Sequence, residues 1–181
     1  MTRPARRGIA ALLALAFLAP ATTAAADAQQ RPQRIVSMFA SGPLVHYAID
    51  GQSERIVGVN KKAKAMYEGS FYAQLIPEFL KLNMNVAGEG FAPNVEAILE
   101  LKPDVVLQWV FDPKLIEPLE GVGLKVIGWD CCTNQHRREY LQLAGYTTGR
   151  IDRAQAILQT QDASNEALRK VFADLKTEEA V

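Results

Sequence analysis

The sequence has few of the residues that build metal centres. Its 181 residues include only two histidines, His46 and His136, which are far apart in sequence. Zinc-type sites draw on clusters of His, Cys and carboxylate ligands. Histidines this isolated are typical of ordinary surface or packed residues. We therefore expect no metal ion held by the protein alone and no resident cofactor.

Cysteine is equally scarce, and the two cysteines are neighbours, Cys131 and Cys132. A disulfide between adjacent residues is geometrically unfavourable, and a disulfide scaffold needs well-separated pairs. We interpret the pair as small, mostly buried side chains. A redox or metal role stays open as the alternative.

Catalytic motifs and an excess of one charge are also missing. The sequence contains no Gly-x-Ser-x-Gly elbow, no Gly-rich phosphate loop and no His-Glu-x-x-His helix. The one suggestive cluster is Asp130 beside the two cysteines. Because none of the catalytic motifs is present, we predict that the chain is not an enzyme. The formal net charge is 0, and the absence of a basic stripe argues against nucleic acid as a partner. An exported α/β interaction domain or a minor enzyme remains the alternative.

No apolar run is long enough to span a bilayer. Residues 8–20 form an apolar run of about 13 residues, whereas a membrane span needs about 20. A basic segment precedes this run, and Ala-x-Ala sites that end at Ala26 and Ala28 follow it, which predicts a cleavable signal peptide over residues 1–26 and a periplasmic protein. No cysteine lies near the cleavage site, so we expect no lipid anchor. The pair Arg6-Arg7 leaves the twin-arginine route open beside the general one.

The rest of the chain alternates short β-branched runs with helical patterns. This alternation predicts an α/β fold with a parallel sheet that is flanked by helices on both faces. The predicted strands cover residues 34–37, 55–59, 85–87, 104–110 and 125–129. The predicted helices cover residues 43–49, 70–80, 94–101 with Asn94 as the cap, a segment from Pro113 to about 121 with Asp112 as the cap, and 134–144.

A long helix follows residues 145–149, which interrupt the pattern. Its apolar stripe consists of Ile151, Ala154, Leu158, Leu168, Val171, Phe172 and Leu175. A helix of about 25 residues is longer than a small three-layer unit needs. We therefore expect it to connect this unit to something else, although a terminal helix that folds back onto the sheet is the alternative.

Five motifs in one order resemble the periplasmic binding-protein family for iron–siderophore, haem and cobalamin. They are Arg-Ile-Val-Ser at 34–37, Arg-Ile-Val-Gly-Val at 55–59, Pro-Asn-Val-Glu-Ala-Ile at 93–98, Leu-Lys-Pro-Asp-Val-Val-Leu at 101–107 and Gly-Leu-Lys-Val-Ile at 123–127. Leu-Ala-Gly at 143–145 and Gly-Arg at 149–150 fit the entry to the family's interlobe helix. The resemblance runs from about residue 34 to residue 158.

The resemblance implies two α/β lobes joined by one long helix, with the ligand held between the lobes. On this basis the chain is divided into a signal peptide (1–26), a linker (27–33), an N-terminal lobe (34–148) and the start of the interlobe helix (149–181). We therefore expect the chain to lack the C-terminal lobe and to be a truncated product. The implied function is the substrate-binding component of an ABC importer, a monomer that binds a metal chelate and delivers it to a membrane permease. An iron–siderophore is the first expectation, with haem or cobalamin possible.

The candidate ligand residues follow the carboxyl ends of the strands, where ligands bind in open parallel sheets. Aromatic faces with a few polar tips suit a large, partly apolar chelate. A Tyr phenolate from this set is a candidate axial ligand of haem iron. The alternative is that several of these side chains are core residues, and that the lysine belongs to a solvated basic loop. The set consists of Phe39, Tyr67, Tyr72, Trp109, Trp129 and Lys62.

Glu96 is a candidate for docking rather than for ligand binding. The resemblance implies that a glutamate at this place in the Pro-Asn-Val-Glu motif pairs with arginines of the permease. Glu96 also stands in the first turn of a predicted helix, where a carboxylate is favoured by the helix dipole. A purely local role at the helix end is therefore the alternative.

Overall fold

The computed structural model describes residues 31–52, 54–88 and 91–178. The predicted signal peptide and residues 27–30 of the predicted linker lie outside the described residues. Within the described ranges, no helix combines the length and the apolar character that crossing a bilayer requires.

Four of the five predicted strands form the central sheet, which confirms the α/β fold with a parallel sheet. In chain order they are β1 (Ile35–Ser37), β2 (Ile56–Val59), β3 (Val105–Trp109) and β4 (Val126–Trp129). Their order across the sheet is β2-β1-β3-β4, and every neighbouring pair is parallel. The carboxyl ends of all four strands therefore lie along one edge of the sheet.

The strand predicted at residues 85–87 is wrong. Asn85 makes one isolated antiparallel bridge with Asn60, and Ala87 makes another with Pro93. The side-chain oxygen of Asn83 accepts the backbone N–H of Asn85 at 2.9 Å. Such a local side-chain bond competes with strand pairing, so the segment reaches the sheet without joining it.

The described residues also contain seven α-helices. They are α1 (Gly42–Asp50), α2 (Lys62–Tyr67), α3 (Phe71–Leu75), α4 (Val95–Glu100), α5 (Glu117–Glu120), α6 (Asn134–Thr148) and α7 (Ile151–Glu178), with short 3-10 helices at Pro77–Lys81 and Pro113–Leu115. The predicted caps are confirmed. The Asn94 side chain accepts the Ala97 N–H at 3.3 Å, and the Asp112 side chain accepts the Lys114 N–H at 3.0 Å.

The helix predicted over residues 70–80 is interrupted. Residues 71–75 are α-helical, Ile76 leaves the helical conformation with φ −137° and ψ 70°, and a 3-10 helix starts at Pro77. Proline lacks an N–H and pushes the residue before it out of the α region. This is why one predicted helix becomes two short ones.

Residues 145–149 do not interrupt the pattern where we expected. The helix α6 continues through Gly145 to Thr148 and ends at Gly149, whose φ of 73° is the left-handed conformation that glycine tolerates. Gly145 is buried, and a Cβ placed there would lie 2.6 Å from the Cβ of Ala154. A glycine is thus needed because α6 and α7 pack closely at this point.

The core lies on both faces of the sheet because neighbouring strand residues point to opposite sides. On one face Val36 and Val106 pack with Ile98 and Leu119, and on the other Ile35 packs with Phe39, Ile56, Val105, Leu107 and Tyr140. Helices cover each layer, so the strands are buried runs of β-branched and apolar residues.

The long helix α7 leaves the core after its second turn. Ala154 and Leu158 are buried, whereas every side chain from Gln159 to Ala173 is exposed. The apolar residues Leu168, Val171 and Phe172 are more than half exposed. The helix thus does not fold back onto the sheet over this stretch.

His46 is the packed histidine that the sequence suggested. It is buried in α1, where its Nδ1 donates to the Gly42 carbonyl at 3.0 Å and its Nε2 accepts from the Thr147 hydroxyl at 3.2 Å. Burial lowers the pKa of His46, and Arg55 lowers it further, whereas the Gly42 carbonyl and the carboxylate of Asp50 raise it without reversing the direction.

We expect the protein to become less stable as the pH falls, because of His46. Its pKa in the folded state lies below the ordinary value of 6.5, so the unfolded chain takes up a proton first as the pH falls. The contribution of His46 to the free energy of unfolding is therefore complete above about pH 6.5. Below that pH the free energy of unfolding decreases by up to about 1.4 kcal/mol per pH unit. Urea unfolding of the parent and of His46→Gln at pH 7 and pH 5 measures this. Equal pH dependence of the two proteins would contradict the assignment.

Candidate ligand-binding site

The carboxyl edge of the sheet brings together three of the segments that the sequence singled out. Ser37 of β1 is level with Leu107 of β3, and Trp109 of β3 is level with Trp129 of β4. The residues after each strand therefore emerge side by side. This is the edge at which open parallel sheets bind ligands.

Six aromatic rings form a continuous array at this edge, and we call it the aromatic array. Trp109 and Trp129 lie at its centre with their ring centroids 5.3 Å apart. Phe39 meets Trp109 edge to face at 4.4 Å, and Tyr140 lies 4.7 Å from Trp129. At the other end, the rings of Phe91 and Phe111 lie 5.9 and 6.1 Å from Trp109. Distances of this size are those of interacting aromatic pairs.

The array runs from the core to the surface. Phe39 and Tyr140 are 2% and 4% exposed, the two tryptophans are half-buried, and Phe111 is 57% exposed. Phe111, Phe91 and the outer parts of the tryptophans therefore form the accessible part of the array, while Phe39 and Tyr140 support them from beneath.

A lysine adds charge to the exposed end of the array. The Nζ of Lys62 lies 4.3 Å from the centroid of the Phe91 ring, a cation–π contact. The backbone of Lys62 is fixed by the Asn60 side chain, which accepts its N–H at 2.9 Å. Lys62 starts α2, which we expected to be a loop, so helix formation places this ammonium group over the aromatic surface.

The two indole N–H groups differ in their surroundings. The Trp129 Nε1 donates to the His136 carbonyl at 2.7 Å, which fixes the ring. The Trp109 Nε1 is buried and has no acceptor among the residues that the structure describes. A buried donor without a partner is costly, so the Trp109 ring is held by packing rather than by a hydrogen bond of its indole.

Two predicted ligand residues are core residues instead. Phe39 is buried within the array, and Tyr67 is fully buried beside Phe79 with its hydroxyl donating to the Ala40 carbonyl. Burial raises the pKa of Tyr67, which disfavours the phenolate that an axial haem ligand needs. Sequence alone does not show how deep a residue after a strand lies, so both were placed too near the surface.

The remaining predicted tyrosine is exposed but stands apart. Tyr72 is 41% exposed on α3, and within the described residues its one ring contact is with Phe71 at 6.5 Å. The helix α3 buries none of its residues. Tyr72 can meet a ligand only if the ligand reaches beyond the aromatic array.

Cys131 and Cys132 form a disulfide with each other, which differs from the expectation of two small, mostly buried side chains. The disulfide directly follows β4, with Cys131 half-buried and Cys132 exposed. The side chain of Asp130 accepts the Cys131 N–H at 2.7 Å, and the Nδ1 of His136 donates to the Cys131 carbonyl at 2.7 Å. His136 is therefore engaged in holding this loop.

Glu96 lies in the first turn of α4 and is exposed. It lines an open groove together with Asn85, Asn94 and Glu100. Across the described residues, no three or more His, Cys, Asp or Glu side chains come together as a metal-ion site would require. The aromatic array is thus the chemically distinctive feature of this part of the chain.

Several solved structures share this fold. A periplasmic solute-binding protein of Veillonella parvula has a TM-score of 0.73 and 26% identity, with 78% of this chain and 43% of that chain covered. The periplasmic vitamin B12-binding protein of Vibrio cholerae has a TM-score of 0.61 and 21% identity (79% and 52% covered). A periplasmic haem-binding protein of Pseudomonas aeruginosa has a TM-score of 0.60 and 24% identity (81% and 49% covered).

This chain spans about half the length of those proteins. The part they share is a parallel four-stranded sheet flanked by helices, followed by the long helix α7, which is the fold of the N-terminal lobe of two-lobed binding proteins. The resemblance read from the sequence motifs is confirmed. No protein-family model and no curated protein matches the chain.

Proposed function

We propose that this chain, which has the fold of the N-terminal lobe of periplasmic solute-binding proteins, captures a metal chelate for an ABC importer. The observation that carries the proposal is the aromatic array, which reaches the surface at the carboxyl edge of the sheet beneath the ammonium group of Lys62. Two of the similar structures are a vitamin B12-binding protein and a haem-binding protein, which supports the same class of ligand.

A chelate suits this surface better than a bare metal ion does. The aromatic faces of Phe91, Phe111 and Trp109 offer broad apolar contact. Lys62 attracts the negative charge that ferric complexes of catecholates or carboxylates carry. The metal arrives with its own ligands, so the protein needs to supply few of them.

An iron–siderophore is our first proposal for the chelate, with haem or cobalamin as the other members of the class. Of the two candidate tyrosines, Tyr72 is the one that we propose for haem binding, because Tyr67 is buried and its hydroxyl is engaged. The chelate is cargo rather than a cofactor. Delivery to a membrane permease through Glu96, a monomeric state and export through the signal peptide at residues 1–26 complete the proposal.

Replacing residues at the exposed end of the array is expected to weaken chelate binding without unfolding the protein. Phe111→Ala removes an exposed ring and should weaken binding about five- to tenfold, as the loss of one aromatic contact implies. Lys62→Gln should weaken binding of an anionic probe about threefold and reduce its dependence on salt. Tyr146→Ala is the matched control, since Tyr146 is 70% exposed and outside the array.

Tryptophan emission measures the binding directly because both tryptophans of the chain, Trp109 and Trp129, belong to the array. The probes are the ferric complex of 2,3-dihydroxybenzoate, haemin and cyanocobalamin. Saturable quenching by one of them that the Phe111 variant weakens supports the proposal. If none of the three probes binds, or if all variants bind like the parent, the array is not a chelate site.

A further inference from the structure

We propose that the Cys131–Cys132 disulfide is a site of reversible thiol–disulfide exchange that controls the aromatic array. The claim about exchange rests on the disulfide itself, and its consequence for ligand affinity rests on the proposed function. The exposed Cys132 follows β4 by three residues, so it lies next to the strand that carries Trp129.

The disulfide holds its loop in an otherwise unfavourable conformation. Cys132 has a φ of 89°, which a residue with a side chain seldom adopts. Adjacent cysteines closed into one ring restrict the backbone between them. Once the ring opens, Cys132 can return to negative φ, and the loop between Trp129 and Thr133 can change its path.

A change in this loop reaches the array through His136. The Cys131 carbonyl accepts from the His136 Nδ1, and the His136 carbonyl accepts from the Trp129 indole at 2.7 Å. The Thr133 hydroxyl, which caps α6, accepts the His136 N–H at 3.0 Å. Three hydrogen bonds thus connect the disulfide loop, the start of α6 and the central ring of the array.

The exchange needs a dithiol as its co-reactant. A thiolate of the dithiol attacks the Sγ of the exposed Cys132, forms a mixed disulfide there and releases Cys131 as a thiolate, which takes up a proton. The second thiol of the reagent then displaces the Cys132 sulfur. The protein gains two electrons and two protons, and the reagent leaves as its cyclic disulfide.

The oxidised form is the one with the fixed array and therefore the one with the higher affinity. A binding surface that is ordered before the ligand arrives loses less entropy on binding. Reduction is expected to loosen Trp129 and to promote release of the ligand. An oxidising compartment keeps the disulfide closed until a dithiol acts on it.

The test uses the full chain before and after incubation with dithiothreitol. The reagent is removed by gel filtration under argon, so that it cannot reduce or bind the iron probe. Thiols are counted with a chromogenic disulfide reagent, and the count is unambiguous because Cys131 and Cys132 are the only cysteines. Tryptophan emission and the affinity for the ferric 2,3-dihydroxybenzoate complex, haemin and cyanocobalamin are then measured on both forms.

We expect two thiols per chain, a rise in tryptophan emission and an affinity lowered about fivefold or more, as a typical coupling between sites implies. Reoxidation should reverse all three. The Cys131→Ser/Cys132→Ser double variant should resemble the reduced protein and should not respond to dithiothreitol. His136→Ala should still be reduced, but its change in emission should be smaller.

Two results would overturn the proposal: a disulfide that dithiothreitol does not open in the folded protein, or two thiols with unchanged emission. If no probe binds either form, the proposed function fails. In that case the thiol count and the tryptophan emission alone test whether the disulfide is a site of thiol–disulfide exchange.

Discussion

The Phe39→Ala variant is expected to lose about 3–5 kcal/mol of free energy of unfolding, as large-to-small substitutions of buried aromatic residues do. Phe39 is 2% exposed, and its ring meets those of Trp109, Trp129 and Tyr140 at 4.4, 5.0 and 5.2 Å. Removing it leaves a cavity beneath both tryptophans. Two contributions to the free energy of unfolding are lost: the burial of the apolar ring in the core, and the contacts that the surrounding rings no longer make across the cavity.

Urea unfolding followed by far-UV circular dichroism measures the loss, and Phe111→Ala serves as the control. Phe111 belongs to the same array but is 57% exposed, so its removal should change the stability by no more than about 0.5 kcal/mol. Equal stabilities for the two variants would mean that Phe39 is not packed as described. A stable Phe39 variant that binds chelates poorly would restore the ligand role that the sequence suggested.

The fold was predictable because its signals are local and repeated. The segment from Val105 to Val110 is apolar apart from Gln108, which is typical of a strand buried on both faces. Asn94 and Asp112 cap helices through hydrogen bonds within three residues. The failures have local causes too. Pro77 divides one predicted helix, and the side chain of Asn83 diverts the segment at residues 85–87 from the sheet.

The sequence predicted the edge of the sheet at which the candidate site lies, but not how deeply each side chain is buried there. The rule for parallel sheets locates the edge of the sheet at which Trp109 and Trp129 lie. Whether a side chain after a strand faces solvent depends on packing from distant segments. Tyr140, on α6, covers Phe39 at 5.2 Å, and Ala40 accepts the hydroxyl of Tyr67 from 27 residues away. No short-range pattern contains these contacts.

The disulfide is a second feature that the sequence pattern did not predict. Typical disulfide geometry argues against bonding between neighbours, and that argument led to the wrong expectation for Cys131 and Cys132. The two neighbours are joined in a turn where Cys132 has a positive φ and the Cys131 carbonyl accepts from the His136 Nδ1. A conformation of that kind depends on a partner that lies in the next helix.

Glu96→Arg is expected to weaken docking to the cognate permease about a hundredfold, and Glu96→Gln about tenfold, because the docking we propose pairs this carboxylate with arginines of the permease. The reason is the position of the side chain. It is exposed in the first turn of α4 and lines an open groove with Glu100. Neither variant should change the affinity for the chelate, since Glu96 does not belong to the aromatic array.

Glu117→Gln is the matched control, because Glu117 is an exposed carboxylate in the first turn of another helix, α5. Both glutamates interact with the helix dipole in the same way, so a local effect on the helix would appear in both variants. Binding to the permease in lipid nanodiscs, measured at low and high salt, together with chelate uptake by dependent cells, distinguishes the two roles. High salt should weaken docking of the parent more than that of Glu96→Gln. Unchanged docking and uptake in the Glu96 variants would reduce this residue to a charge that stabilises the start of α4.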